Sequence, residues 1–249
     1  MEPLTDWDVY RQASLDMLRG LNPMHTPLNY LPPWMSLLTA PAAILPRWVG
    51  YVAIALIMLM VAIIAVKRLG GDIWAILLLC TTPFLLHNIL WGSLEWVPLT
   101  GMLLPPAVGL VAISAKPQSG GGTVLYYLVQ VIRKKLSFKV LIPFGVVGVL
   151  GLLLYGYPFS MGDPPADVVR SASYAVFPWG VPFGLALIAW AVKREDVWLA
   201  YAASPLLAPY FTSHTLIGPF LVLVTRSKRW AVVAWIVAWV YAFATIGRV

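Results

Sequence analysis

The stretch from residue 6 to residue 46, DWDVYRQASLDMLRGLNPMHTPLNYLPPWMSLLTAPAAILP, concentrates charges and prolines ahead of an almost continuously apolar chain. Its apolar and small side chains share one side of a 3.6-residue period: Trp7, Tyr10, Ser14, Met17, Leu18 and Leu21. Its charged and amide side chains share the other side: Asp8, Arg11, Gln12, Asp16 and Arg19. This pattern predicts an amphipathic helix of about four turns. Because it is too short and too charged to span a bilayer, we expect it to lie at the membrane interface, ending at Gly20 and Asn22-Pro23.

The composition is that of a membrane protein. Of the 249 residues, 60% are hydrophobic and 11% are charged, and the mean hydropathy is +0.82. These values lie outside the range of soluble domains, so we expect an all-α, polytopic transmembrane helix bundle forming one integral membrane domain over 1–249. Residues 1–46 form its external loop and interfacial helix, and residues 47–249 form the bundle. Eight apolar runs predict about eight spans: 48–66, 73–91, 96–115, 139–157, 175–192, 197–211, 213–225 and 230–247.

The basic residues sort to one side of these spans. Placing the N-terminus outside makes twelve of the seventeen Lys and Arg residues cytoplasmic: Lys67, Arg68, Lys116, Arg133, Lys134, Lys135, Lys139, Lys193, Arg194, Arg226, Lys228 and Arg229. The outer face keeps five: Arg11, Arg19, Arg47, Arg170 and Arg248. This asymmetry predicts a multi-pass protein of the inner, cytoplasmic membrane with both termini outside. The formal charge of +7 is therefore a topology signal, and no nucleic-acid partner is expected.

The same sorting gathers polar chemistry at the outer face. Seven of the ten acids and all three histidines fall outside or at the outer ends of spans. We expect His87, Glu95, Tyr210 and His214 to approach the first external loop and form one polar chamber, because ionisable groups at that depth must face water, a partner or a ligand. The single cysteine, Cys80, excludes an internal disulfide.

The order of short motifs resembles a known family. Asp6-Trp7-x-Val9-Tyr10, Gly20-x-Asn22-Pro23 and Tyr30-x-Pro32-Pro33 are followed by an apolar run that ends at Leu45-Pro46. This order is similar to the first external loop of GT-C glycosyltransferases, in particular bacterial polyprenyl-phosphate-mannose-dependent mannosyltransferases and their uncharacterised relatives. The acid that opens this element in the family is the proposed catalytic base, and it corresponds to Asp6. The structural alternative is that Thr5 or Asp6 caps the helix, with Asp8 complementing the helix dipole.

Later segments extend the resemblance, with departures. Lys116-Pro117-Gln118 matches an element of the relatives, although Lys snorkelling and a Pro helix end explain it equally. The Ser204-to-His214 segment resembles a later turn of the family, and Ser93 stands where relatives carry a glutamine. Family members carry a transmembrane helix before the Asp loop, whereas five residues precede Asp6. The alternatives are a compact version of the family, a processed chain or one that has lost activity, and a membrane-protein partner that supplies the missing helix is one expectation.

The resemblance implies transfer of a sugar, such as mannose, from a polyprenyl-phosphate donor to an extracytoplasmic hydroxyl, with inversion. Asp6 is the candidate general base, with Asp8 or Glu95 as substitutes. Candidate substrate contacts are Tyr10, Arg11, Asn22, Tyr30, His87, Asn88, Arg170, Tyr210 and His214. No cofactor or metal cluster is expected, and a weak divalent-cation site among the acids stays open. The alternative function is a non-catalytic subunit that packs its external loop against a partner, and a transporter is a third class.

Three connecting segments complete the expectations. Residues 118–123 contain three consecutive glycines and predict a flexible cytoplasmic turn. Residues 124–139 predict a basic helix on the inner leaflet. Residues 166–172 predict a short external helix that carries Arg170.

Overall fold

The computed structural model describes residues 5–160 and 173–245, and within these ranges it is built from helices without any strand. In chain order the helices are α1 (Asp6–Leu18), α2 (Pro33–Ala43), α3 (Arg47–Arg68), α4 (Ile73–Cys80), α5 (Pro83–Trp91), α6 (Trp96–Leu103), α7 (Pro106–Ser114), α8 (Pro117–Ile132), α9 (Ile142–Tyr155), α10 (Gly180–Arg194), α11 (Val197–Leu207), α12 (Ile217–Arg226) and α13 (Lys228–Thr245). Short 3₁₀ helices cover Pro23–His25, Phe138–Leu141 and Ser213–Leu216.

A capping box begins α1. The Thr5 hydroxyl accepts a hydrogen bond from the Asp8 N–H, and the Asp8 carboxylate accepts one from the Thr5 N–H at 3.1 Å. Thr5 is therefore the N-cap, and Asp6 is the first helical residue rather than the cap. The helix ends near the predicted position, because Gly20 adopts a positive φ of 79° just past the last turn.

Helix α1 packs on α2, which the sequence analysis did not distinguish as a helix. Pro33 occupies the first turn of α2, where its fixed φ suits a helix start. A hydrogen bond of 2.7 Å joins the hydroxyls of Ser14 and Thr39 across the two helices. The predicted apolar side of α1 is only partly the buried side, since Ala13 is buried whereas Leu18 is 53% exposed.

Two helical segments are long and apolar enough to cross a membrane, Arg47–Arg68 and Phe138–Tyr155. Helices α4 and α5 pass the same test together, although the chain bends by 55° between them. Length and composition thus support up to three crossings in the described residues, and the helices of the other predicted spans do not pass this test, most of them because they are shorter. Many large apolar side chains remain on the surface, including Leu153 at 74% and Phe183 at 70% exposure. This surface is compatible with a membrane protein.

Residues 96–115 do not form the single span that their composition predicts. Helix α6 ends before Pro105, and α7 begins at Pro106 and packs back along α6. The two helices touch through glycines, because a Cβ on Gly101 would lie 2.7 Å from the Gly109 carbonyl oxygen. The segment is therefore a helical hairpin that returns the chain to the end from which it started.

This hairpin corrects the placement of Lys116. Its ammonium lies 2.8 Å from the carboxylate of Glu95, so Lys116 shares the end of the bundle predicted to be external. The segment 118–123 is helical and belongs to α8, as does most of 124–139, and neither is a loose turn or a surface helix. Close packing explains this difference, since a Cβ on Gly122 would lie 3.1 Å from the Ser204 hydroxyl of α11.

The helix ends form two groups. One end, called the site end below, carries α1, the turn 92–95, Lys116 and the loop 208–216. The opposite end carries three ion pairs between neighbouring turns: Lys228–Asp72, Arg226–Asp196 and Lys135–Glu195. The three acids and three bases of these pairs thus share the end to which the charge pattern assigned them, whereas Lys116 lies at the other end.

Candidate functional site

The centre of the candidate site is Glu95, whose side chain is fully buried. It lies in the turn between α5 and α6, opposite the start of α8. The Lys116 ammonium is 2.8 Å from its Oε1, and the Ser119 hydroxyl donates to its Oε2 at 2.6 Å. Burying this pair is expensive unless the remaining polar atoms are satisfied. The serine at the first turn of α8 provides one of these additional bonds.

Further donors complete the surroundings of this pair. The Thr215 hydroxyl donates to Glu95 Oε1 at 3.4 Å, and His214 Nε2 lies 3.7 Å from the same oxygen. Lys116 also donates to the Ser93 hydroxyl oxygen at 3.2 Å. Glu95 is thus held by several partners, which suits a carboxylate that positions a lysine rather than one that accepts a substrate proton.

Asp6 borders this cluster at the N-terminus of α1 and remains partly exposed. Burial raises the pKa of its carboxyl, whereas the Lys116 charge and a hydrogen bond from the Ser93 hydroxyl oppose that rise. The negative charge of Glu95 raises it further. Asp6 therefore holds a proton more tightly than a free aspartate while facing a buried cation.

The turn at Gly92 makes this approach possible. Gly92 has a φ of +63°, and a Cβ there would lie 2.6 Å from the Cβ of Trp7. The first turn of α1 consequently rests directly on the backbone of the turn that carries Ser93 and Glu95. A side chain at residue 92 would push Asp6 away from Lys116.

Two tyrosines lie within electrostatic range of Asp6, and a third lies within range of one of them. Tyr10 follows it by one helical turn, and burial raises the pKa of the Tyr10 hydroxyl, with the charges of Asp6 and Glu95 adding to the effect. Tyr210 lies within electrostatic range of Asp6 and of Tyr30. The first external loop and the loop 208–216 therefore meet above the acid.

The histidines lie on the far side of Glu95. His87 Nδ1 pairs with the Ser213 hydroxyl, and the rings of His87 and His214 are 5.5 Å apart. Asn88 fixes this arrangement by donating to the His214 carbonyl oxygen at 3.1 Å. Three of the four residues expected to form a chamber, His87, Glu95 and His214, thus lie together with Asn88, and the fourth, Tyr210, lies within electrostatic range of Asp6.

Three other candidates point elsewhere. Asp8 forms an ion pair with Arg47 at 2.6 Å, which lowers the pKa of its carboxyl to about 2. Arg11 donates to the Leu45 carbonyl oxygen at 3.4 Å, and Asn22 donates to the Tyr155 carbonyl oxygen at 3.2 Å. The nomination of Asp8 as a substitute base is therefore unsuited to this geometry, because its charge is already used by a cap and an arginine. Arg170 and its predicted helix lie outside the described residues.

Four residues that were not among the candidate site residues surround Glu95 and its lysine: Ser93, Lys116, Ser119 and Thr215. Lys116 had been assigned to the opposite face because 96–115 was counted as one span. The signal that could have corrected this was the pair Pro105-Pro106 in the middle of that run, flanked by Gly101 and Gly109.

Within 5–160 and 173–245, no group of three His, Cys, Asp or Glu side chains is arranged to hold a metal ion. Two cavities are described, and Asp6 lines neither of them. One, of about 260 Å³, lies at the opposite end beside Lys135 and Glu195. The other, of about 160 Å³, lies between Thr5 and Trp48.

Comparison of the chain with protein-family models, curated proteins and solved structures finds no match.

Proposed function

We propose that this chain is a membrane glycosyltransferase of the GT-C type that moves a sugar from a polyprenyl-phosphate donor to a hydroxyl acceptor outside the cytoplasm. The observation that carries the proposal is the placement of Asp6 beside the buried Lys116–Glu95 pair. A carboxylate with a raised pKa and an ammonium group then share one site. These are the two groups that this transfer needs, a base for the acceptor and a cation for the leaving phosphate.

The bundle is proposed to cross the bilayer eight times, with the site end outside. The crossings are α3, the bent pair α4 and α5, and then α8 to α13, while the α6–α7 hairpin enters and returns. This count equals the predicted one but replaces the span 96–115 by α8. The basic residues of the opposite end, including Arg133 and Lys193, support the orientation, because cytoplasmic loops carry an excess of Lys and Arg.

The short helices set the depth of the site. Helix α11 has 11 residues and α12 has 10, which correspond to about 15–17 Å, roughly half the hydrocarbon thickness. The loop 208–216 between them would then lie below the outer bilayer surface. Non-helical backbone is tolerated at such a depth where it is enclosed by protein. This position suits a donor whose polyprenyl tail remains in the membrane.

The reaction would proceed by a single displacement. Asp6 accepts the proton of the acceptor hydroxyl while the oxygen of that hydroxyl forms a bond to the anomeric carbon of the donor sugar. The bond between that carbon and the phosphate oxygen breaks, and the polyprenyl phosphate leaves with the electron pair. Attack and departure on opposite faces invert the anomeric carbon.

Lys116 is the proposed partner of the donor phosphate. Glu95 and Ser93 accept two of its hydrogen bonds and fix its position, which leaves the third ammonium hydrogen free to point toward an incoming phosphate. His87 and His214 form the adjacent wall and supply hydroxyl or phosphate contacts. Tyr10, Tyr30 and Tyr210 border the acceptor side. The geometry assigns no such role to Arg11 or Asn22.

The test is transfer from a radiolabelled donor. Membranes containing the chain are supplied with polyprenyl-phosphate mannose or polyprenyl-phosphate glucose, and labelled products are separated from donor by thin-layer chromatography. Product formation that requires both Asp6 and Lys116 supports the proposal. The absence of transfer and of polyprenyl-phosphate binding by the parent chain with either donor would refute it.

A second candidate function is a non-catalytic membrane subunit whose external loop packs against a partner protein. The observation in its favour is that Glu95 is fully closed in by protein side chains. In this function the Asp6–Lys116–Glu95 cluster joins α1 to the bundle. Co-purification of one stoichiometric membrane protein, lost when exposed α1 residues are altered, would favour the subunit over the enzyme.

A further inference from the structure

The opposite end of the bundle carries more bases than its acids can neutralise. Each of the three acids named at this end already forms an ion pair: Asp72, Glu195 and Asp196. Four exposed bases at the ends of α8 and α10 form no salt bridge within the described residues: Arg133, Lys134, Lys193 and Arg194. These four residues are called the basic surface below. Their charges are available to an anion from outside the chain.

Helix packing brings the two halves of the basic surface together. Helix α8 packs against α10, and the Arg133 guanidinium donates to the Val192 carbonyl oxygen at 3.5 Å. Lys193 and Arg194 directly follow Val192 as the last two residues of α10. A guanidinium carries five N–H donors in a planar fork that fits a phosphate, so most donors of Arg133 remain for a ligand after this contact.

The turn after α8 holds its two bases on an ordered backbone. Lys134 has a positive φ of 57°, and the Lys135 and Leu136 N–H groups both return to the Gln130 carbonyl oxygen. The backbone that carries Arg133 and Lys134 is therefore fixed before a ligand arrives, which lowers the entropic cost of binding.

The basic surface keeps an excess of positive charge after its surroundings are counted. Its four bases contribute four positive charges, and the adjacent Lys135–Glu195 pair contributes no net charge. The C-termini of α8 and α10 oppose this charge by about half a negative charge each, which leaves about three positive charges. A group with a net negative charge is therefore attracted here more strongly than a zwitterion, whose own cation is repelled.

Exposed apolar side chains border the basic surface. Ile132 and Phe138, on either side of the turn, are 78% and 69% exposed. Trp190 is 49% exposed and precedes Lys193 and Arg194 by three and four residues, so it shares their face of α10. Bases beside exposed aromatic and aliphatic side chains are typical of contact with the membrane interface, whereas a soluble anion would leave these apolar groups in water.

We propose that the basic surface binds the headgroup of an acidic phospholipid. The phosphate lies between Arg133, Lys193 and Arg194, and the acyl chains run along Ile132 and Phe138. The cytoplasmic leaflet carries anionic lipids that attract polybasic segments, and the proposed orientation places this end of the bundle there. The proposal rests on that orientation and is independent of the transfer reaction.

The test compares dioctanoyl phospholipids that differ only in their headgroup. Microscale thermophoresis of delipidated protein in detergent measures the binding of phosphatidylglycerol, phosphatidylethanolamine and phosphatidylcholine. The glycerol lipid should bind roughly tenfold or more tightly than the two zwitterionic lipids, because each base near a membrane surface adds to the attraction of anionic lipid. The difference should shrink at high salt, which screens exposed charges. Equal binding of the three lipids would overturn the proposal.

Lys193→Gln/Arg194→Gln is the decisive double variant, and Lys67→Gln/Arg68→Gln is its matched control. The control removes the same two residue types, also exposed, from the last turn of α3 at the same end of the bundle. The first variant should lower the affinity for phosphatidylglycerol roughly tenfold or more, and the control by less than about twofold. Equal losses in the two variants would indicate a diffuse effect of net charge and would refute a defined site.

Arg133→Gln provides a second variant if the first does not fold, as judged by its melting temperature. Its expected result is a several-fold loss of affinity for phosphatidylglycerol, because the guanidinium is assigned to the phosphate. Unchanged affinity in Arg133→Gln would contradict this assignment.

Competition with free sn-glycerol 3-phosphate distinguishes a lipid from a soluble anion. The free headgroup should displace dioctanoyl phosphatidylglycerol only at a much higher concentration, since it lacks the acyl chains that contact Ile132 and Phe138. Phe138→Ala should weaken lipid binding while keeping the preference for phosphatidylglycerol over phosphatidylcholine. Displacement by glycerol 3-phosphate at the concentration of the lipid would indicate a simple anion site and would overturn the proposal.

Discussion

Asp6→Asn separates the chemical and structural roles of the first external helix. The change keeps the shape of the side chain but removes its ability to accept a proton near neutral pH. As general base, Asp6 contributes roughly 10²- to 10⁴-fold to the rate, and this factor should be lost. Stability should change little, because Thr5 rather than Asp6 caps α1 and Glu95 still holds Lys116.

The expected size of the stability change follows from two opposing effects. A carboxylate in the first turn gains about 0.3–1 kcal/mol from the helix dipole, and the amide loses this gain. The amide also escapes the cost of burying a charge, which is the cost that raises the Asp6 pKa. The two effects oppose each other, so the free energy of unfolding should stay within about 1 kcal/mol of the parent value.

Asp8→Asn is the matched control two residues along the same helix. It weakens the capping box and removes the ion pair with Arg47, in which Arg47 contacts both carboxylate oxygens at 2.6 and 2.9 Å. We expect a loss of about 1–2 kcal/mol of stability with transfer retained. Asp6→Asn and Asp8→Asn should therefore produce opposite patterns in rate and melting temperature.

The pKa values of the two acids are shifted in opposite directions, and each shift predicts its own pH dependence. The Asp8 pKa falls from 3.8 to about 2 in the folded protein, so its stabilising contribution is complete above about pH 4 and is lost as the pH falls toward 2. The Asp6 pKa is raised, so transfer should increase with pH through a value above that of a free aspartate as the base loses its proton. Thermal unfolding and initial transfer rates, each measured against pH, check these two directions.

The assay uses membranes with equal amounts of each variant, a labelled polyprenyl-phosphate sugar and a fluorescence-based melting curve. The role of Asp6 as general base is refuted if Asp6→Asn transfers the sugar at a rate close to that of the parent. The role is also refuted if Asp6→Asn loses transfer only because the protein unfolds. Asp8→Asn would reveal this by losing transfer to the same extent at the same melting temperature.

Three further predictions concern the buried pair, the hairpin and the topology. Lys116→Met should destabilise the protein by about 3–5 kcal/mol because it leaves Glu95 charged and unpaired. Adding Glu95→Gln should recover much of this loss in melting temperature. If the losses of the two single variants simply add in the double variant, the two side chains do not stabilise each other as a pair. Gly101→Leu should lose roughly 1–3 kcal/mol of stability or misfold, because its Cβ meets the Gly109 carbonyl oxygen. A single straight span would tolerate leucine at this position, so the melting temperature of the variant distinguishes the hairpin from a straight span. In a cysteine-free background, a membrane-impermeant maleimide should label Gln12→Cys from outside and Lys134→Cys only after permeabilisation, and the reverse pattern would invert the proposed topology.

Several features of the candidate site were accessible from residue order alone. The capping signal at Thr5 and Asp8 and the helix end at Gly20 depend on local backbone chemistry, which neighbouring residues determine. The grouping of His87 and His214 with Glu95 followed from depth, because ionisable groups at one level of a helical bundle tend to share a polar surface.

Tertiary structure determines which carboxylate is accessible and which carboxylates are already in ion pairs. The sequence nominated Asp6 as the base with Asp8 or Glu95 as substitutes, and only packing pairs Asp8 with Arg47 and Glu95 with Lys116. These pairs join residues 39 and 21 positions apart, so no local pattern reports them. The distinction depends on the direction in which α3 and α8 approach the site end.

The path of residues 96–115 is the clearest feature that the sequence alone could not determine. By itself, the sequence determined the apolar composition of the chain, the helix signals around α1 and the separation of acids from most of the bases. An apolar run of this length has the same composition whether it crosses a bilayer or folds back, because lipid and protein interior are equally apolar partners for its side chains. The close contact of Gly101 with Gly109 selects the hairpin, and that contact brings Lys116 to Glu95 and creates the candidate site.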